Sequence, residues 1–283
     1  MKKLFYILPF FLFFIAAKAQ PIKAFSVTVT GKGQPIILIP GFSCSGEVWK
    51  ETVDHLKDRY ECHVLTLAGY AGVPPIDTPV LKTVRDEIIR YVKEKKLQQP
   101  ALLGHSLGAF MSLWVCSAAP GLFGKIICAD GVPFISAMED SSITATAIKN
   151  DPRYNAAAVA ANFEHIPDSG YIDNTTKSML WQVNDTVHAR LIATWSFHGH
   201  RKTLGYSFVE MSSTDLREAI KNIQQPILVL GSIYNGDASN SYRILGQQYR
   251  NAINKTIHVA SSKHFIMYDQ PQWFYHEIDT FLQ

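Results

Sequence analysis

The chain has 283 residues, 47% hydrophobic and 18% charged, a balance that excludes disordered and collagen-like chains and suffices for one large packed domain. Its formal charge is +3, and Lys2, Lys3 and Lys18, in an opening stretch without acids, account for the excess. The neutral remainder gives no general electrostatic reason to bind nucleic acid or an anionic membrane surface.

Residues 1–19, MKKLFYILPFFLFFIAAKA, read as a secretory signal peptide. Lys2 and Lys3 form its positive end, Leu4 to Ala17 is apolar, and Ala17-Lys18-Ala19 is the small-x-small pattern cut by a signal peptidase. An apolar run of 14 residues is short for a bilayer, which takes about 20. The expectation is cleavage after Ala19 and an exported protein, periplasmic or secreted, with no stable membrane anchor. No cysteine sits at the cleavage site, so a lipoprotein is not expected.

After Gln20 strand-like and helix-like segments alternate. FSVTVTG (25–31) and PIILIPG (35–41) flank Lys32-Gly33-Gln34, a turn that suits a hairpin. Residues 46–58 carry Val48, Trp49, Val53 and Leu56 at helical spacing. ECHVLTLAG (61–69) reads as a buried strand, and 80–97 as an amphipathic helix. PALLGHS (100–106) is a short strand followed at once by the apolar helix 107–119, and KIICADG (125–131) is the next strand. Residues 132–221 break this rhythm, being helix-like with turn signals and no apolar β run. PILVLGS (226–232), a helix over 239–252, KTIHVA (255–260) and a helix over 271–282 complete the chain.

This order predicts an α/β fold, a mostly parallel sheet with helices on both faces. The core is expected from 20–131 and 222–283, with 132–221 a helical cap over the strands' carboxyl ends, where open α/β sheets bind ligands. Cys44, Cys62, Cys116 and Cys128 fit no metal or redox spacing and read as buried free thiols.

Gly104-His105-Ser106-Leu107-Gly108 is a G-x-S-x-G placed between a strand and a helix. Such a turn lifts a serine hydroxyl above the sheet beside a helix N-terminus, which makes Ser106 the expected nucleophile. A serine hydroxyl needs a base. His264, in the loop after the last strand, is the best placed of the ten histidines. His258 lies in a strand, His276 on a helix, and His198-Gly199-His200 lacks further metal ligands and reads as packing or solvated.

These motifs resemble the α/β-hydrolase superfamily in its capped, single-domain form, over about residues 25–283. The resemblance implies a serine hydrolase with the chain order Ser, acid, His. It implies an oxyanion hole from the amides of Leu107 and Phe42, with Pro40 standing where many relatives have a histidine that braces the loop. It leaves two carboxylates open. Asp237 follows the late strand, the usual place, though later than in most relatives. Asp130 ends the strand after the nucleophile helix, and is favoured because similar chains with HFIM-like and GYAG-like segments often lack the later acid. Asp269 reads instead as a cap for the helix beginning at Pro271.

Phe134 and Met138 are expected to face the substrate. Of the cap's Tyr154, Phe163, Met179, Trp181, Trp195 and Phe197, most are expected to pack helices together. No metal or cofactor motif occurs, and no aspartate stands at the nucleophile position. The expectation is an esterase-like hydrolase of a small, partly apolar molecule. The alternatives are a ligand-binding relative of slow turnover and a C–C bond hydrolase.

Overall fold

Short runs rich in isoleucine, valine and leucine become strands buried on both faces, as parallel sheets require. In a computed structural model describing residues 24–233 and 236–283, the strands are β1 (Phe25–Gly31), β2 (Gln34–Ile39), β3 (Tyr60–Leu67), β4 (Ala101–His105), β5 (Ile126–Ala129), β6 (Ile227–Ser232) and β7 (Lys255–Ala260). The leader read at 1–19 lies outside the described residues. The strands form one sheet in the order β1-β3-β2-β4-β5-β6-β7. Only β1 is antiparallel to its neighbour. The order reverses between β2 and β4, so the loops after these strands open at the switch point where such sheets bind ligands.

The hairpin expected between β1 and β2 does not form. β3 lies between them, and β1 pairs with β3 from Phe25↔Leu67 to Gly31↔Glu61. The turn at Lys32 passes over the start of β3 instead, with the Lys32 amide donating to the Lys57 carbonyl at 3.3 Å. The sequence signal is the same for both arrangements, because an alternating edge strand suits either partner.

The helices are α1 (Lys50–Leu56), α2 (Val80–Lys95), α3 (Leu107–Ala118), α4 (Ala145–Asn150), α5 (Ala156–Glu164), α6 (Tyr171–Met179), α7 (Thr186–Phe197), α8 (Arg201–Ser213), α9 (Ala238–Gln248), α10 (Ile266–Asp269) and α11 (Pro271–Leu282). One apolar cluster joins α2, α3 and α9 to the sheet through Val84, Phe110 and Leu245. A second joins α1 and α11 to the opposite face through Leu56, Phe274 and Ile278. Among the described residues no helix is long and apolar enough to cross a membrane. The four cysteines are free and buried, as their spacing suggested.

Helices α4–α8 contain no intervening strand among the described residues. They are tied to the sheet layer by Glu210 of α8, whose carboxylate accepts the amides of Val80 at 2.5 Å and Leu81 at 2.7 Å. These are first-turn donors of α2 that have no partner within the helix, and a carboxylate is favoured at the positive end of the helix dipole. Phe163, Met179 and Phe208 from this helical layer bound the same cavity as Ser106.

Candidate active site

β4 ends at His105, and the chain must reverse into α3 within one residue. Ser106 takes that turn at φ 53° and ψ −115°, a left-handed conformation that costs a non-glycine residue of order 1–3 kcal/mol. The turn fits only because Gly108 has no side chain, since a Cβ there would lie 2.0 Å from the Ile39 carbonyl oxygen. The Ser106 amide is anchored to the Ala129 carbonyl at 2.8 Å. The hydroxyl therefore stands over the carboxyl ends of β2, β4 and β5.

His264 lies between β7 and α10, and its Nδ1–H donates to Asp130 Oδ2 at 2.6 Å. Asp130 follows β5 at φ 45° and is fully buried at its side chain. The Ser232 amide and hydroxyl also donate to it, at 2.7 and 2.9 Å. Burial, the largest single influence, pushes the Asp130 carboxyl up. The His264 hydrogen bond and charge, with the two bonds from Ser232, together outweigh it and hold the group below its ordinary range. An ionised Asp130 on Nδ1 leaves Nε2 of His264 as the acceptor nitrogen. Ser106 and His264 line one cavity.

Of the two carboxylates left open by the sequence, the structure brings Asp130 to His264. Asp237 instead caps α9, accepting the Ser239 amide at 2.8 Å, which satisfies an orphan helix donor. The helix expected over 239–252 starts one residue earlier, which makes Asp237 its cap. Asp269 does not cap α11. Its two oxygens accept the amides of Lys263 and Asn184, each at 2.9 Å. It thereby ties the His264 loop to the segment between α6 and α7.

The loop after β2 approaches Ser106 closely. A Cβ on Gly41 would lie 3.4 Å from Ser106 Cβ and 2.8 Å from His105 Nδ1. Among the described residues the Phe42 and Leu107 amides donate to no protein acceptor, and both residues line the cavity. With Pro40 in place of a bracing histidine, the loop is held by other means. The Cys44 amide donates to the Gly41 carbonyl at 3.2 Å. The Phe42 ring meets Tyr70, Phe163 and Phe208 edge-on, with centroids 5.9, 6.3 and 6.2 Å away.

His105, read in the sequence only as the variable residue of the motif, is a working part of the arrangement. It is fully buried, and its Nε2–H donates to the His264 carbonyl at 3.0 Å. Burial, reinforced by nearby His264, lowers it to about 3, so it stays neutral and holds the His264 loop against the turn at Ser106. The ring pair at 4.6 Å is the contact that sequence spacing could not reveal.

The cavity has a volume of about 450 Å³, within the range of small-molecule sites. Met138 lines it, and Phe134, expected to face the substrate, does not. Phe134 is fully buried beside Ala137 and Ile148, under the Arg217 guanidinium at 5.0 Å. Its backbone is clamped by Gln248 at 3.2 and 3.0 Å. The chain turns there, so its neighbours Val132 and Ile135 reach the cavity instead. Phe134→Ala is expected to lower unfolding free energy by about 3–5 kcal/mol, the usual cost of deleting a buried ring. Denaturant titration checks this, with KM for a bound ester unchanged within twofold.

Of the aromatic and methionine residues noted at 132–221, Phe163 and Met179 line the cavity. Trp195 packs into the core and Tyr154 stacks on Phe208, while Trp181 is 86% exposed. Phe208, Met211, Gln182 and Ile192 also line the cavity, and no motif in the sequence singles them out. His198 and His200 are structural. The His198 carbonyl accepts the Gly72 amide at 2.9 Å, and the His200 ring caps α8 at Thr203.

Residues 36–277 match the model of the alpha/beta hydrolase family. A curated relative, the pimeloyl-[acyl-carrier protein] methyl ester esterase of Vibrio campbellii, is 28% identical over 107 residues, 38% of this chain and 41% of the relative. The Karrikin insensitive 2 receptor CA of Petunia hybrida is 27% identical over 117 residues, 39% of this chain and 43% of that protein. The match thus spans about two fifths of the length of these relatives. Among solved structures, the enol-lactonase of Burkholderia xenovorans LB400 superposes with a TM-score of 0.74 at 12% identity, covering 91% of this chain and 96% of that one. An esterase from Thermogutta terrifontis gives a TM-score of 0.74 at 17% identity over 91% and 92%. With its serine elbow, its seven-stranded sheet and a family match across most of its length, this chain belongs to the alpha/beta hydrolase family.

Proposed function

We propose that the chain is an exported serine hydrolase that cleaves an ester, or a related acyl bond, of a small and partly apolar molecule. The observation that carries this reading is the shared cavity of Ser106 and His264, with Asp130 on the far nitrogen of His264 at 2.6 Å. Core residues 20–131 and 222–283 supply this machinery, and 132–221 caps it.

Ser106 Oγ attacks the substrate carbonyl as His264 Nε2 takes its proton. Asp130 stabilises the imidazolium that forms and fixes its tautomer. The Phe42 and Leu107 amides hold the oxyanion, each donor contributing about 3 kcal/mol at the transition state. His264 returns the proton to the leaving group, which departs and leaves an acyl ester on Ser106. Water, deprotonated by His264, then releases the acid and regenerates the enzyme. A curated relative named as a methyl ester esterase supports the ester chemistry.

A relative named as a receptor favours a second reading, a binding protein of slow turnover. Steady-state hydrolysis of short p-nitrophenyl esters decides between them. Sustained turnover that vanishes in Ser106→Ala is expected, whereas one product per protein followed by arrest supports the receptor reading. Export predicts a mature chain beginning at Gln20. N-terminal sequencing of the exported fraction checks this, and Met1 retained there contradicts it.

A further inference from the structure

The cavity wall carries little charge. Among the described residues no lysine or arginine lines it, and its one carboxylate, Asp130, is already committed to His264 and Ser232. Cys44 also lines it, and burial pushes that thiol up to about 12, so it contributes no charge. His264 gives its Nδ1–H to Asp130, and in the proposed reaction its Nε2 takes the Ser106 proton.

Two side chains remain to meet a polar group. Gln182 and Ser43 line the cavity, and among the described residues neither side chain forms a hydrogen bond within the protein. Gln182 is fixed there by its own backbone, whose carbonyl accepts the Phe265 amide at 3.0 Å, one residue from His264. A carboxamide offers a donor and an acceptor but no charge.

We infer that the site selects acyl groups that carry no charge, with Gln182 as the specificity-determining residue that receives a neutral hydrogen-bonding group on an otherwise apolar acyl chain. This rests on the serine hydrolase reading. An acyl chain ending in a carboxylate loses its hydration and finds no cation here, and one ending in an ammonium finds no free carboxylate. An unpaired charge in an apolar enclosure is disfavoured.

The test uses two fluorophosphonate probes of equal chain length, one ending in a methyl group and one in a carboxylate. In each, Ser106 Oγ forms a bond to phosphorus, fluoride leaves, and the serine proton passes to His264. The rate of labelling is read by intact mass, so slow turnover does not obscure it. The methyl probe is expected to label at least 100-fold faster than the carboxylate probe. Gln182→Arg is expected to narrow that ratio to less than tenfold by supplying the missing cation. Ile135→Arg is the second variant, placed where the residue is already 38% exposed, and its stability is less at risk. Equal labelling of the wild type by both probes overturns the inference while leaving the nucleophile assignment intact. So does a ratio unchanged in both folded arginine variants. Failure of both probes to label Ser106 overturns the hydrolase reading beneath it.

Discussion

Replacing Ser106 by alanine is expected to lower kcat on a p-nitrophenyl ester by about 10⁶-fold, with His264→Ala causing a comparable loss. Such a factor corresponds to about 8 kcal/mol of transition-state stabilisation. The two groups act as one unit, because the hydroxyl is inert without the base and the base has no task without the hydroxyl. The double variant is therefore expected to be no slower than either single one. Activity about 10³-fold above the uncatalysed rate should persist in all three, because the Phe42 and Leu107 amides still bind the oxyanion of a water attack. Steady-state kinetics at saturating ester, with thermal unfolding as a control for folding, measures this. A Ser106→Ala protein within tenfold of wild type removes the proposed nucleophile.

The second large effect is expected at Asp130. Asp130→Asn keeps the volume but presents either an amide donor or a weaker neutral acceptor to His264 Nδ1, so the ring loses its fixed tautomer and its counter-charge. The expected fall in kcat is about 10⁴-fold, with KM changed little. Asp237→Asn should stay within tenfold, because that side chain caps α9 and does not touch His264. Asp130 also makes a pH-dependent contribution to stability. Its carboxyl is held below the ordinary value of 3.8, so the folded state favours the ionised form more than the unfolded chain does. That contribution is complete above the unfolded value and is lost as pH falls through the lower, folded one. Denaturant titrations of wild type and Asp130→Asn should therefore show a stability gap that is level well above pH 3.8 and closes below it.

The parallel strands and the turn at Ser106 were legible because they are local. Runs such as Ile36–Ile39 are apolar at every position, and the G-x-S-x-G glycines answer a steric demand of one turn. The carboxylate that meets His264 was only half legible. Asp130 and Asp237 lie 107 positions apart in the chain, and both follow strands that end on the same side of the sheet. Only the arrangement of Ser232 and His264 around one of them tells the two apart. The misplaced hairpin has the same origin, since local turn chemistry does not say which strand will enter the sheet between two others. Phe134 was misjudged because facing the cavity changes from one residue to the next where the chain turns. His105 and Asp269 went unread as bracing residues because each acts through the backbone of another loop. No spacing encodes such a contact.

The central claim is a covalent acyl intermediate on Ser106. The most direct measurement mixes the protein with excess p-nitrophenyl butyrate, quenches in acid during the first turnovers, digests, and locates the added butyryl mass. The account predicts that mass on the peptide containing Ser106, and none in Ser106→Ala. Butyryl carried by another side chain, or ester turnover at the wild-type rate in Ser106→Ala, contradicts it.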